Sequence, residues 1–158
     1  MKKSHYIRIS HLLIVLGFVI LISTKGEGQT MNIAGTAPSF TISTGTAGGT
    51  MTTPATNSAC TLTYTTPRLP NPATWRITVQ TTCAGQKFSL SVVATSATRG
   101  TMQAAVPLTN GMAAVNFITA IPRNTAGMTC KLNYTASATF ANGNGTDNHT
   151  VKYTLVQP

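Results

Sequence analysis

Residues 130–140 read CKLNYTASATF, with an apolar side chain at every second position. Alternate side chains of a β-strand point to the same face, so this pattern predicts a strand that buries one face and exposes the other. The intervening positions are mostly polar and include Thr, whose β-branched side chain suits the exposed face of a pleated strand. Half-buried strands of this kind are typical of antiparallel sheets.

The same period of two recurs throughout the chain from residue 60 onward, and no segment of useful length has a helical period. Short alternating runs separated by turn residues predict an all-β fold, an immunoglobulin-like antiparallel β-sandwich of about seven or eight strands. The predicted inward faces are Cys60, Leu62 and Tyr64; Trp75, Ile77, Val79, Thr81 and Cys83; Phe88, Leu90, Val92 and Ala94; Ala104, Val106 and Leu108; Ala113, Val115 and Phe117; Cys130, Leu132, Tyr134, Ala136, Ala138 and Phe140; and Val151, Tyr153 and Leu155.

Turn residues predict which of these strands pair as hairpins. The dipeptide Asn110-Gly111 is the strongest short hairpin signal, and it predicts that residues 104–108 pair with residues 113–117. The Asn- and Gly-rich residues 141–148 predict a longer loop that pairs the strand before it with the strand after it. Closing these two hairpins places the apolar residues of each pair on one face.

Three cysteines follow the N-terminal segment of the chain. If residues 60–66 and 75–83 form a hairpin across the intervening prolines, Cys60 falls directly opposite Cys83 and both lie on apolar faces. This register predicts a Cys60–Cys83 disulfide, which would stabilise the fold by roughly 3 kcal/mol. Cys130 is then left over, either as a buried, inert thiol or as a partner in an intermolecular disulfide.

A second cysteine pairing is also compatible with the sequence. The hexapeptides CTLTYT (residues 60–65) and CKLNYT (residues 130–135) resemble each other. The two strands would be neighbours if they were joined by a Cys60–Cys130 disulfide. Both pairings remain open from the residues alone.

The N-terminal residues have the layout of a secretory signal peptide. Lys2, Lys3 and Arg8 precede an apolar run at residues 12–22, and small residues follow it. The run is short for a membrane span, so we predict cleavage after residue 28 and a secreted or cell-envelope location, with an uncleaved anchor as the alternative. The predicted organisation is a signal peptide at residues 1–28, an N-terminal extension and flexible link at residues 29–58, and a sandwich domain at residues 59–158.

The charge is positive but dispersed. The chain carries a formal charge of +9, and removing residues 1–28 takes four of the eleven cations and one of the two acids, which leaves +6. The remaining cations are spread along the chain rather than clustered, whereas a nucleic-acid interface needs a basic patch. We therefore predict no nucleic-acid partner, and no membrane span after signal cleavage.

The residues needed for catalysis are scarce. After residue 28 the chain has one histidine, His149, one aspartate, Asp147, and no glutamate. Paired carboxylates are therefore excluded, and no Gly-x-Ser-x-Gly motif is present. Asp147 and His149 could supply two metal ligands, but no third ligand lies near them in the sequence. The prediction is a protein that is not an enzyme and has no cofactor and no metal.

The order of these features resembles the bacterial pilin-like and spore-coat-U-like secreted β-sandwich proteins. The resemblance rests on the signal peptide, a first strand that opens with Cys60, a second that closes with Cys83, and the C-terminal pattern Gly145-Thr-Asp147 followed by Val151-Lys-Tyr153-Thr-Leu155. It implies a secreted or surface structural or adhesive subunit that associates with itself or with other envelope proteins. In such families an N-terminal extension completes the sandwich of the next subunit by strand donation.

The donor in this chain would be the segment of residues 30–44, with candidate donor-strand residues Met31, Ile33, Phe40 and Ile42. The alternative is that this segment pairs within its own domain, because short sequential strands usually pair with their neighbours. The alternative function is then a monomeric extracellular module that binds a carbohydrate or a protein.

Overall fold

Nine β-strands are present in the computed structural model, which describes residues 28–41, 55–68, 73–139, 142 and 145–157. No α-helix occurs among these residues, and the predicted all-β class is confirmed. The strands are β1 (Thr30–Ala34), β2 (Ala55–Thr66), β3 (Trp75–Thr82), β4 (Ser89–Thr95), β5 (Thr101–Met102), β6 (Val106–Pro107), β7 (Val115–Ile121), β8 (Thr125–Ser137) and β9 (Thr150–Val156).

The strands form two antiparallel sheets. One sheet has the order β1-β2-β8-β4-β6 and the other has the order β5-β7-β3-β9. From β2 to β9, each strand lies in the opposite sheet from the strand before it. After β2 the chain therefore crosses the sandwich at every connection, and apart from β1 and β2 the neighbours in a sheet are not consecutive in sequence.

The core lies between the two sheets and is built from the predicted inward faces. The central strand β8 buries alternate residues from Met128 to Ala136, and β3 buries Trp75, Ile77 and Val79. Ala104, Ala113 and Val115 are exceptions, because all three are exposed. The period of two therefore identified the buried side of most strands correctly.

The three predicted hairpins are wrong. The turn at Asn110-Gly111 forms, since Met112 N–H donates to the Thr109 carbonyl, but β6 before it pairs with β4 while β7 after it pairs with β3 and β5. Likewise, β8 and β9 lie in different sheets, as do β2 and β3. In each case the two strands lie in different sheets, so the predicted partner is wrong.

The predicted Cys60–Cys83 disulfide is absent, and Cys60, Cys83 and Cys130 are free, buried thiols. The reason is the change of sheet, because Cys60 belongs to β2 and Cys83 directly follows β3. The alternative of neighbouring strands is confirmed, since β2 pairs with β8. Cys60 is paired with Leu132, however, and Leu62 with Cys130, so the two cysteines are diagonal and unbonded.

The structure describes the predicted N-terminal segments only in part. Residues 55–58, predicted to belong to the flexible link, form the start of β2. The predicted signal peptide lies outside the described residues except for Gly28, and so do residues 45–54 of the predicted link. Within the described part of the chain, no helix has the length and hydropathy of a membrane span.

A buried hydroxyl pair connects the two sheets. The Tyr134 and Tyr153 hydroxyl oxygens are 2.9 Å apart, and both residues are 5% exposed. Tyr153 also packs against Phe117, with ring centroids 5.3 Å apart. Burial raises the pKa of Tyr134 to about 12, which keeps its phenol protonated and able to donate.

We expect Y134F to lower the free energy of unfolding by about 1–3 kcal/mol, because it leaves the Tyr153 hydroxyl buried without its partner. The double variant Y134F/Y153F should cost less than the sum of the two single variants, since no orphaned hydroxyl remains. Urea unfolding of the four proteins measures this coupling. Strictly additive costs would mean that the hydroxyl pair contributes nothing.

Candidate functional site

Strand β1 forms one edge of the five-stranded sheet and pairs with β2 alone in that sheet. The register places Met31 opposite Tyr64, Ile33 opposite Leu62 and Asn32 opposite Thr63. Directly opposite residues of an antiparallel pair share a face. Met31 and Ile33 therefore lie on the side of the buried Tyr64 and Leu62.

The side chains of β1 hold it weakly to the sandwich. Met31 is half-buried, Ile33 is 42% exposed, and the other three residues of the strand are exposed. Phe40, further along the same segment, packs against the core, and Ile42 lies outside the described residues. Backbone pairing with β2 is therefore the main contact of the strand.

Two further hydrogen bonds hold the residues on either side of β1. The Gln29 side-chain amide donates to the Leu155 carbonyl at 3.1 Å, so the start of β1 reaches β9 in the other sheet. The Cys60 thiol donates to the Thr36 carbonyl at 3.2 Å. Residues 29–36 therefore lie along one side of the sandwich, where they are hydrogen-bonded to β2 in one sheet and to β9 in the other.

A separate cluster of chemically active side chains lies near the end of β3. Ligand atoms of Cys83, Asp147 and His149 all lie within 4.8 Å of one another. Cys83 directly follows β3, whereas the other two residues belong to the loop that enters β9. Because β3 and β9 are paired from Arg76 to Thr82, the fold brings the end of one strand to the start of the other.

Asp147 ties this loop to the connection between β3 and β4. Its carboxylate accepts hydrogen bonds from the backbone N–H of Lys87, at 2.9 and 3.1 Å to its two oxygens, and from that of Phe88 at 2.7 Å. The carboxylate is half-buried. These donors set its position and orient it beside Cys83 and His149.

The two neighbours of this carboxylate are both held in their neutral forms. Burial, and to a lesser extent the negative charge of Asp147, raises the pKa of the Cys83 thiol, while a hydrogen bond from the Asn148 backbone N–H opposes the shift. Burial lowers the pKa of His149, against the pull of Asp147. The cluster therefore has a neutral imidazole and a carboxylate, which can bind a metal ion directly, and a thiol, which can bind one after losing its proton.

Sequence reasoning found Asp147 and His149 but missed Cys83 as the third group. The residues are 64 and 66 positions from Cys83, and the predicted disulfide had given that thiol another role. A correct β3–β9 pairing would have joined them, because it places Thr82 opposite Thr150. Cys130 is elsewhere, buried in the core, where burial raises its pKa to about 11.

Aromatic residues do not form an exposed binding surface in the described part of the chain. Trp75, Tyr64, Tyr134 and Tyr153 are all buried, as their inward positions predicted. The exposed large apolar residues there are Ile33, Met102 and Val115. A flat aromatic platform for a sugar ring is therefore not available among these residues.

No family model, no curated protein and no solved structure matches this chain. Its function is therefore inferred from its own residues.

Proposed function

We propose that the protein is an exported structural or adhesive surface subunit that assembles by exchanging β1 between copies. The observation that carries the proposal is the way β1 is attached. It is an edge strand that pairs with β2, and residues 35–54 connect the two strands. An antiparallel hairpin needs only about two to five residues in this place.

Exchange preserves the contacts that β1 makes in its own domain. A second copy offers the same β2 edge, the same Tyr64 and Leu62 against Met31 and Ile33, and the same Leu155 carbonyl for Gln29. Only the entropy of association opposes the exchange, and a high local concentration of subunits at a surface reduces that cost. Removal of β1 leaves the backbone groups of β2 unpaired, and such an edge readily accepts another strand.

Export is supported by the N-terminal residues. Their charged start, apolar run and small residues are typical of a secretory signal peptide. The proposal assigns the protein no catalytic step. Its partners are other copies or other envelope proteins.

A disulfide trap distinguishes exchange from pairing within one chain. Asn32 and Thr63 are opposite each other, and Thr63 lies between two inward residues, so both side chains point away from the core. In N32C/T63C, oxidation should yield covalent oligomers if β1 is exchanged and covalent monomers if it is not. Denaturing electrophoresis without reductant separates the two products, and removal of residues 29–44 should abolish both.

Two controls sharpen the test. Mixing the single variants N32C and T63C should produce a disulfide-linked pair of chains, which exchange alone allows. The variant N32C/T129C should not cross-link, because Thr129 lies on β8 on the far side of Thr63. Monomers at every protein concentration would contradict the proposal and favour a self-contained surface module that binds an external ligand.

A further inference from the structure

We propose that Cys83, Asp147 and His149 form a binding site for a divalent transition-metal ion of the Zn²⁺ type. This proposal does not depend on strand exchange. The site has a thiolate sulfur, an imidazole nitrogen and a carboxylate oxygen as ligands. A fourth position remains for water or an external group, as in zinc sites with three protein ligands.

The separations are close to those of a coordination sphere. Tetrahedral Zn²⁺ with its usual bond lengths places neighbouring ligand atoms about 3.3–3.6 Å apart. The three ligand atoms here lie within 4.8 Å of one another, so about 1 Å of movement closes the site. His149 is only half-buried and lies in the loop before β9, where rotation of its side chain can supply that movement.

Cys83 provides the fixed ligand. It is 1% exposed, and its backbone N–H donates to the Asn110 side-chain oxygen at 2.8 Å. A hydrogen bond from the Asn148 backbone N–H lowers the pKa of this thiol, against the larger effect of burial. A hydrogen bond of this kind stabilises a thiolate, which is the form that binds metal.

His149 is oriented with a free ring nitrogen. The Thr81 hydroxyl donates to the Thr150 carbonyl at 3.1 Å, so its oxygen is left to accept from His149 Nδ1, which lies 3.4 Å away. A proton on Nδ1 leaves the lone pair of Nε2 for a metal. Metal-binding histidines commonly have their second nitrogen held in this way.

Asp147 keeps coordinating capacity despite its hydrogen bonds. A carboxylate has about four lone-pair positions, and the Lys87 and Phe88 N–H groups use only part of them. These donors act on the carboxylate as orienting partners act in known metal sites. Each of the three ligand residues therefore has at least one hydrogen bond that helps to fix its position.

The ligand set selects the class of metal. Thiolate and imidazole favour Zn²⁺, Co²⁺ and related ions, whereas Ca²⁺ and Mg²⁺ prefer oxygen ligands only. On binding, the Cys83 S–H bond breaks, its proton goes to solvent, and the sulfur bonds to the ion without any change of oxidation state. The same three residue types also occur in cysteine hydrolases, but the sulfur of a residue that is 1% exposed is not accessible to an external substrate carbonyl.

Cobalt provides a direct test, because a thiolate bound to Co²⁺ gives a sulfur-to-metal charge-transfer band in the near ultraviolet. We expect the purified, reduced protein to develop this band on titration with Co²⁺ and to lose it when Zn²⁺ is added. C83S should abolish the band, whereas C60S and C130S should keep it, since those thiols lie in the core away from the cluster.

A second variant, H149Q, keeps the test valid if C83S fails to fold, because His149 is half-buried and its contact with Thr81 is long, at 3.4 Å. It should stay folded and weaken Co²⁺ binding by at least about 10-fold, since loss of an outer-shell partner alone costs that much. In parallel, Zn²⁺ should raise the unfolding temperature of the original protein and not that of C83S. A folded protein without the band, or a band that persists in C83S, would overturn the proposal.

Discussion

Replacing Gly100 by alanine is expected to lower the free energy of unfolding by about 2–4 kcal/mol, because it combines backbone strain with overpacking of the core. Gly100 has φ +92°, a conformation that residues with a side chain rarely adopt. A Cβ at this position would lie 2.7 Å from Ile118 Cγ2 and 2.9 Å from Ile121 Cγ1. Both isoleucines are fully buried, so they cannot move away without disturbing their neighbours.

The variant G85A separates the two contributions. Gly85 also has a positive φ, +69°, but a Cβ there meets nothing within 4 Å. G85A should therefore cost only about 1 kcal/mol, the strain component alone. Urea unfolding followed by the fluorescence of the single tryptophan, Trp75, measures both variants. Equal costs would show that the core around Ile118 and Ile121 adapts to the extra methyl group.

The buried side of each strand could be predicted because it is a local property. A period of two reports which side chains avoid water, and Leu62, Ile77 and Leu132 are all fully buried as that pattern requires. The same argument located Met31 and Ile33 on the inward side of their strand. Fold class follows from the number and length of such strands, so it needs no knowledge of their partners.

Strand partners could not be predicted, because alternation is the same whichever strand lies alongside. A turn such as Asn110-Gly111 reverses the chain, but the strand that follows can join its predecessor or cross to the opposite sheet. Here it crosses, and the apolar faces meet through the core. The candidate metal site could not be predicted for the same reason, because Cys83 is brought close to Asp147 and His149 only by the pairing of β3 with β9.

Replacing Gly35 by alanine is expected to detach β1 while leaving the rest of the sandwich folded. Gly35 follows β1 with φ +114°, and a Cβ there would lie 2.3 Å from the Ala59 carbonyl oxygen and 3.0 Å from the Cys60 Cα. Both are backbone atoms of β2, and Cys60 is paired with Leu132 of β8, which restrains the strand at this point. The mobile partner is therefore β1, an exposed edge strand with few buried side chains.

Hydrogen exchange measures this local release, because amides open independently when a segment detaches without global unfolding. In G35A, the amides of β1 should lose protection while those of β8 and β9 keep it. The matched control is G28A, at φ +89°, where the nearest atom to a Cβ is 4.0 Å away at Pro67 and β1 should stay bound. Exchange between copies uses the same β1–β2 contact, so G35A should also abolish the N32C/T63C cross-link in monomers and oligomers alike. Oligomers that survive G35A would mean that copies associate through a surface other than the β2 edge.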